Sequence, residues 1–146
     1  MDFSDAVAVA ARIYAGSRDS AGSLYLAHGV SVAQELGPAA SPTAMNAAVL
    51  HGIPEDTEWT IHHLVGLGVD AVVIEAVDML TRRGGESYMG YVRRVCDAPG
   101  LVGETARQVL AADLVVSTRS AQSDALRQRY EQSLPLVQSA LATAYA

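Results

Sequence analysis

A run of small and aliphatic residues from Ala44 to Leu50 does most to limit the folds open to this chain. Ser41 offers a helix cap and Pro42 suits the first helical position, after which Ala44, Met45, Ala47, Ala48, Val49 and Leu50 leave no polar face. A helix that is apolar all round has to be enclosed by other elements, so this one is expected at the centre. Elsewhere apolar residues recur every three or four positions and aromatics make up only 5% of the chain, which favours helices over sheet. With 146 residues and 50% hydrophobic content, the chain can bury one core but is too short for two domains of ordinary size. The prediction is an all-α bundle of six or seven helices forming a single domain over residues 1–146.

The first helix is expected from about Ser4 to Gly16, with Ser4 as cap and Val7, Ala11 and Tyr14 facing inward. A second spans Leu24 to Leu36 and ends at Gly37-Pro38. The apolar third begins at Ser41-Pro42 and is stopped by Gly52 and Pro54, with Gly52 expected to close it in a left-handed conformation. A short helix from Thr60 to Val65 leads into Val69–Leu80, whose Val72-Val73-Ile74 run is too well continued by Ala76 to Leu80 to be a strand. Further helices are expected at Ser87–Cys96, Val102–Ser117 and from Ser123 onward, the last with Leu126, Tyr130, Leu134, Val137 and Leu141 inward and a kink before Pro135.

The net charge of −6 and pI near 5.0 argue against nucleic acid or an anionic membrane surface as partner, so any anionic ligand must be met locally. One cysteine, Cys96, excludes an intrachain disulfide framework and points to a reducing cytoplasm. The N-terminus carries Asp2 and Asp5 instead of a basic region, and no segment has the apolar length needed to cross a bilayer.

Helical spacing turns three ionisable residues toward the core. His28 belongs to the stripe Tyr25, His28, Val32; His51 to Ala44, Ala47, Ala48, His51; and Asp113 to Ala106, Val109, Leu110, Asp113, Ser117. A carboxylate buried without a partner is costly, and two imidazoles, or a metal held with them, would supply one. Two histidines and one carboxylate form a facial triad suited to a divalent first-row metal with open positions. Taken singly, each residue is more ordinarily a hydrogen-bonded core group.

The segments Tyr25-Leu-Ala-His28, Ala47-Ala-Val-Leu-His51 followed by Glu55-Asp-Thr57, and Ala112-Asp-Leu114 are similar in order and spacing to those of the HD-domain phosphohydrolases. The nearest branch is the RelA/SpoT-type guanosine tetraphosphate hydrolase domain with its small single-domain relatives. The likeness runs from about Ala10 to Leu114, and Leu80 to Tyr88 also resembles the small bacterial members. The resemblance implies an HD-domain-like helical fold and a manganese ion held by two histidines and two aspartates. His28, His51 and Asp113 match three of those ligands, while the fourth falls on Gly52, which has no side chain to coordinate anything. The family's catalytic Glu-Asp pair, which positions the attacking water, matches Glu55 and Asp56. Arg18, Tyr25 and Ser117 are the residues expected to contact the substrate, and a small phosphorylated molecule or nucleotide is the implied partner.

Further departures cluster around the pocket. Leu110 and Ser117 stand where the family often has lysine and asparagine, and Ser20 where a loop lysine is usual. Three functions are therefore compatible with the sequence. One is a phosphohydrolase with a weakened Mn²⁺ or related metal site; a second is a metal-free descendant that binds a small molecule or a protein partner. The third is a pocket recruited to acid-base chemistry on a non-phosphorylated compound. His62 and His63 are expected on a solvated face, Cys96 is expected to be packed, and Arg82 and Arg83 decorate a helix end or line the pocket mouth.

Overall fold

The computed structural model describes residues 1–19, 22 and 24–143, and among them every regular element is a helix. In chain order these are α1 (Phe3–Tyr14), α2 (Tyr25–Leu36), α3 (Pro42–Leu50), α4 (Ile53–Asp56), α5 (Ile61–Gly66), α6 (Ala71–Met79), α7 (Tyr88–Asp97), α8 (Gly100–Ser120) and α9 (Asp124–Thr143). The all-α architecture follows the pattern of apolar spacing. Nine helices stand among the described residues against the six or seven expected; the short helix expected at Thr60–Val65 is α5, and the four-residue α4 is the one that apolar spacing did not mark.

The apolar segment lies where its composition requires. Ala44, Ala47, Ala48, Val49 and Leu50 are buried, and α3 packs against α1, α2, α6 and α8. Asn46, the polar residue within that run, is buried too; its amide donates to the Met1 carbonyl at 3.1 Å. Ser41 caps α3 as expected, its Oγ accepting from the Ala44 N–H at 3.1 Å. The second axis of the bundle is α8, which contacts α2, α3, α6, α7 and α9 and buries Ala106, Val109, Leu110 and Leu114. Residues from both central helices, α3 and α8, line one cleft.

Two local expectations are corrected. Asp2, not Ser4, caps α1: Asp2 Oδ1 accepts from the Asp5 N–H at 2.9 Å while Asp5 Oδ2 accepts from the Asp2 N–H at 3.1 Å. This reciprocal pair satisfies two donors at once, which a serine two residues later does not. Gly52 is not left-handed: its φ is −83° and ψ −8°, so the backbone continues in right-handed geometry through His51 into α4. Pro54 does not block α4, because it falls in the first turn where no N–H is needed.

Gly29 fixes the distance between α2 and α3. A β-carbon there would lie 3.0 Å from the Val49 carbonyl oxygen and 3.3 Å from the Val49 Cα, both backbone atoms of a buried helix that cannot easily yield. Gly29→Ala gains helix propensity of roughly 1 kcal/mol but forces the helices apart. A net loss of about 1–2 kcal/mol is expected, read as a lower urea midpoint at unchanged m-value.

Candidate metal centre

His28 projects from the first turn of α2, His51 from the C-terminal cap of α3, and Asp113 from the middle of α8. Three segments distant in sequence thus meet: one ligand atom from each of His28, His51 and Asp113 lies within 4.8 Å of the others. His28 Nε2 is 2.8 Å from Asp113 Oδ1, and the two imidazole centroids are 5.9 Å apart. Ser117, one turn further along α8, donates its hydroxyl to the same Asp113 oxygen at 3.1 Å.

The hydrogen bonds assign the ring protons. His51 Nδ1 lies 2.6 Å from the Ala48 carbonyl, which can only accept, so Nδ1 carries the hydrogen. In the neutral ring this leaves a lone pair on Nε2, which faces Asp113 Oδ2 at 3.8 Å. Two electron-pair donors turned toward each other at that separation, inside a largely buried pocket, form a place that a cation fits. A backbone carbonyl orienting the opposite nitrogen of a ligating histidine is the usual supporting arrangement. At His28 the Nε2 hydrogen directed at Asp113 would leave when a metal binds.

Burial alone would make His28 harder to protonate, but the hydrogen bond and charge of Asp113, with Asp56 and Asp19, outweigh it and raise its pKa. Burial pushes Asp113 upward, and the His28 hydrogen bond and both histidine charges reverse that, leaving it lowered. The sign of each contribution to stability follows. His28 stabilises the metal-free fold fully below its ordinary value of 6.5, and this is lost as pH rises through the raised value. Asp113 contributes above its ordinary 3.8, and that is lost as pH falls through the lowered value. Both are complete near pH 5. Replacing His28 by glutamine is therefore expected to destabilise metal-free protein more at pH 5 than at pH 9, measured by urea unfolding.

The cluster sits in an open cleft of about 530 Å³, lined also by Tyr14, Tyr25, Glu55, Asp56, Arg82 and Tyr88. Glu55 is held at the rim, its Oε1 accepting from the Arg82 N–H at 2.6 Å. Asp56 is raised to about 6, first by burial of its carboxyl and then by the charges of Glu55 and Asp113, against the pull of the two histidines. Tyr25 stacks on Tyr14 with centroids 5.5 Å apart. Arg18 does not line the cleft; its guanidinium donates to the Gly22 carbonyl at 2.6 Å. Ser20 lies outside the described residues.

Some lining residues carry no sequence motif. Arg129 and Tyr130 on α9 join Arg82 and Tyr88, and both guanidinium groups lie over the Tyr88 ring, at 4.9 Å for Arg129 and 5.3 Å for Arg82. Burial and the charge of Asp113 raise the pKa of Tyr88 and Tyr91, which keeps both phenols protonated. The inward stripe Leu126–Tyr130 was the available signal for the α9 wall, but nothing marked Arg129 beside it. His62 and His63 are exposed, and His63 Nδ1 accepts from the Thr60 N–H at 2.9 Å, closing the start of α5. Cys96 is partly buried, and burial together with Asp97 raises its thiol pKa. Arg83 pairs with Asp78 at 3.2 Å, away from the cleft.

The all-helical arrangement matches an HD-domain-like fold, as a solved structure shows. One solved structure with this likeness is described as a metazoan ortholog of SpoT that hydrolyzes ppGpp and plays a role in starvation responses. It superposes with a TM-score of 0.74 at 20% sequence identity, over 95% of this chain and 84% of that one. At that identity the likeness is one of fold. No protein-family model and no curated protein sequence matches the chain. No helix among the described residues is long and apolar enough to cross a membrane.

Proposed function

We propose that this protein is a divalent-metal-dependent phosphohydrolase acting on a nucleotide or another small phosphorylated compound. The observation that carries this reading is the convergence of His28, His51 and Asp113 on the floor of an open cleft. A neighbour of the same fold that hydrolyzes ppGpp supports it. The donor set suits Mn²⁺ or a related first-row ion, which when bound would acidify an attacking water and draw charge from the phosphoryl oxygens.

The chain's own groups would do the remaining work. Ser117 fixes the Asp113 carboxylate, and the Ala48 carbonyl fixes the ring of His51. Arg82 and Arg129 supply positive charge for phosphate on the α9 side of the cleft. Tyr25, backed by Tyr14, offers an aromatic face to a base. Glu55 and Asp56 provide carboxylates beside the open side of the ion, where a water would be oriented. Arg18 reaches a ligand in this scheme only by leaving the Gly22 carbonyl.

The test is release of phosphate or pyrophosphate from a broad nucleotide panel, guanosine tetraphosphate included, by protein saturated with Mn²⁺. Release that needs the metal and stops on chelation is expected. Silence across the panel at full occupancy would instead favour the second reading, a binding module descended from an enzyme. The absence of any side chain at position 52 is the observation that keeps that reading in view.

A further inference from the structure

Position 52 is not vacant space. A β-carbon on residue 52 would fall 2.7 Å from Asp56 Oδ2 and 3.1 Å from the Tyr14 hydroxyl, so these two side chains already converge on the region a residue-52 side chain would enter. The reason is helical geometry. Asp56 donates its N–H to the Gly52 carbonyl at 2.9 Å, and side chains in a helix lean toward its N-terminus, so the side chain of residue 56 lies over residue 52. With glycine below it, the Asp56 carboxylate drops into the gap. An aspartate at 52 and the present Asp56 conformation exclude one another.

We propose that Asp56 is the fourth protein ligand of the metal centre, its carboxylate taking from four residues further on the place that a side chain at 52 would hold. This rests on the metal-dependent reading above and gives the site two histidines and two carboxylates. The neighbouring acids divide the labour: Glu55 is fastened to the Arg82 N–H and stays at the rim, whereas Asp56 lines the same cleft as His51, its carboxylate 2.7 Å from where a residue-52 β-carbon would lie, and a turn about its side-chain torsions would bring it onto an ion held by the trio. Gly52 then leaves the room that the Asp56 carboxylate occupies, and a side chain there would oblige it to shift.

Mn²⁺ titration of metal-free protein, followed by the electron paramagnetic resonance of the free ion, tests this without reference to activity. Asp56→Ala and Asp56→Asn should each bind Mn²⁺ roughly tenfold or more weakly than wild type. The double variant Gly52→Asp/Asp56→Ala, which returns a carboxylate to position 52 and removes the side chain it would strike, should recover most of that loss. Wild-type affinity in both single variants overturns the assignment of Asp56 while leaving the metal-dependent reading intact, as does a double variant no tighter than Asp56→Ala. Wild-type protein that binds no Mn²⁺ overturns both.

Discussion

Asp113→Asn is expected to lower Mn²⁺ affinity by roughly 100-fold or more while costing the metal-free fold only the charge interaction with His28 and His51. The two effects separate because the carboxylate has two tasks. As an acceptor it takes the Ser117 hydroxyl at 3.1 Å and the His28 Nε2 hydrogen at 2.8 Å, and an asparagine carbonyl can take both. As an anion it would be the charged ligand beside His28 and His51 in the proposed centre, and a neutral amide would not replace it. Asp113→Ala removes the acceptor as well and should cost stability in addition to the metal. Calorimetric titration with Mn²⁺, beside thermal melts of the metal-free proteins, distinguishes the two variants. Equal affinity in wild type and Asp113→Asn would remove Asp113 from the centre.

Gly103→Ala is expected to be the most damaging of the glycine-to-alanine changes on steric grounds. Its β-carbon would lie 1.9 Å from the Ala98 carbonyl oxygen and 2.5 Å from the carbonyl carbon, contacts that require the corner between α7 and α8 to move. That corner is also held by a buried charge close by, with Arg107 Nη1 3.0 Å from the same β-carbon. The buried Arg107 guanidinium donates to the Ala98 carbonyl at 2.6 Å and to the Cys96 carbonyl at 3.2 Å, satisfying the C-terminal end of α7. Displacing Ala98 therefore strains a charged hydrogen bond in addition to the steric cost. A loss of about 3 kcal/mol is expected, or about 6–12 °C in melting temperature for a domain of this size. Melting within two or three degrees of wild type would show that the corner yields freely.

The legible parts of this protein were those governed by periodicity. Helical spacing alone put His28, His51 and Asp113 on inward stripes, and Ala44–Leu50 declared itself central, because a fully apolar helix has no other stable place. Backbone conformation was read less well. Gly52 between a buried helix and Pro54 looked like a left-handed stop, yet its φ of −83° shows that space, not torsional freedom, accounts for glycine there. Gly29 and Gly103 were equally silent, since close approach between segments leaves no periodic trace. The α9 wall was half visible. Tyr130 lay on an apolar stripe, but Arg129 enters the site only because Tyr88, more than forty positions away, offers a ring beneath its guanidinium.

Diffraction from crystals equilibrated with Mn²⁺, recorded at the manganese absorption edge, tests the metal centre most directly. The arrangement of the three helices predicts one strong anomalous peak within bonding distance of His28 Nε2, His51 Nε2 and the Asp113 carboxylate. An ordered cleft with no peak there, in crystals held in excess manganese, would contradict it.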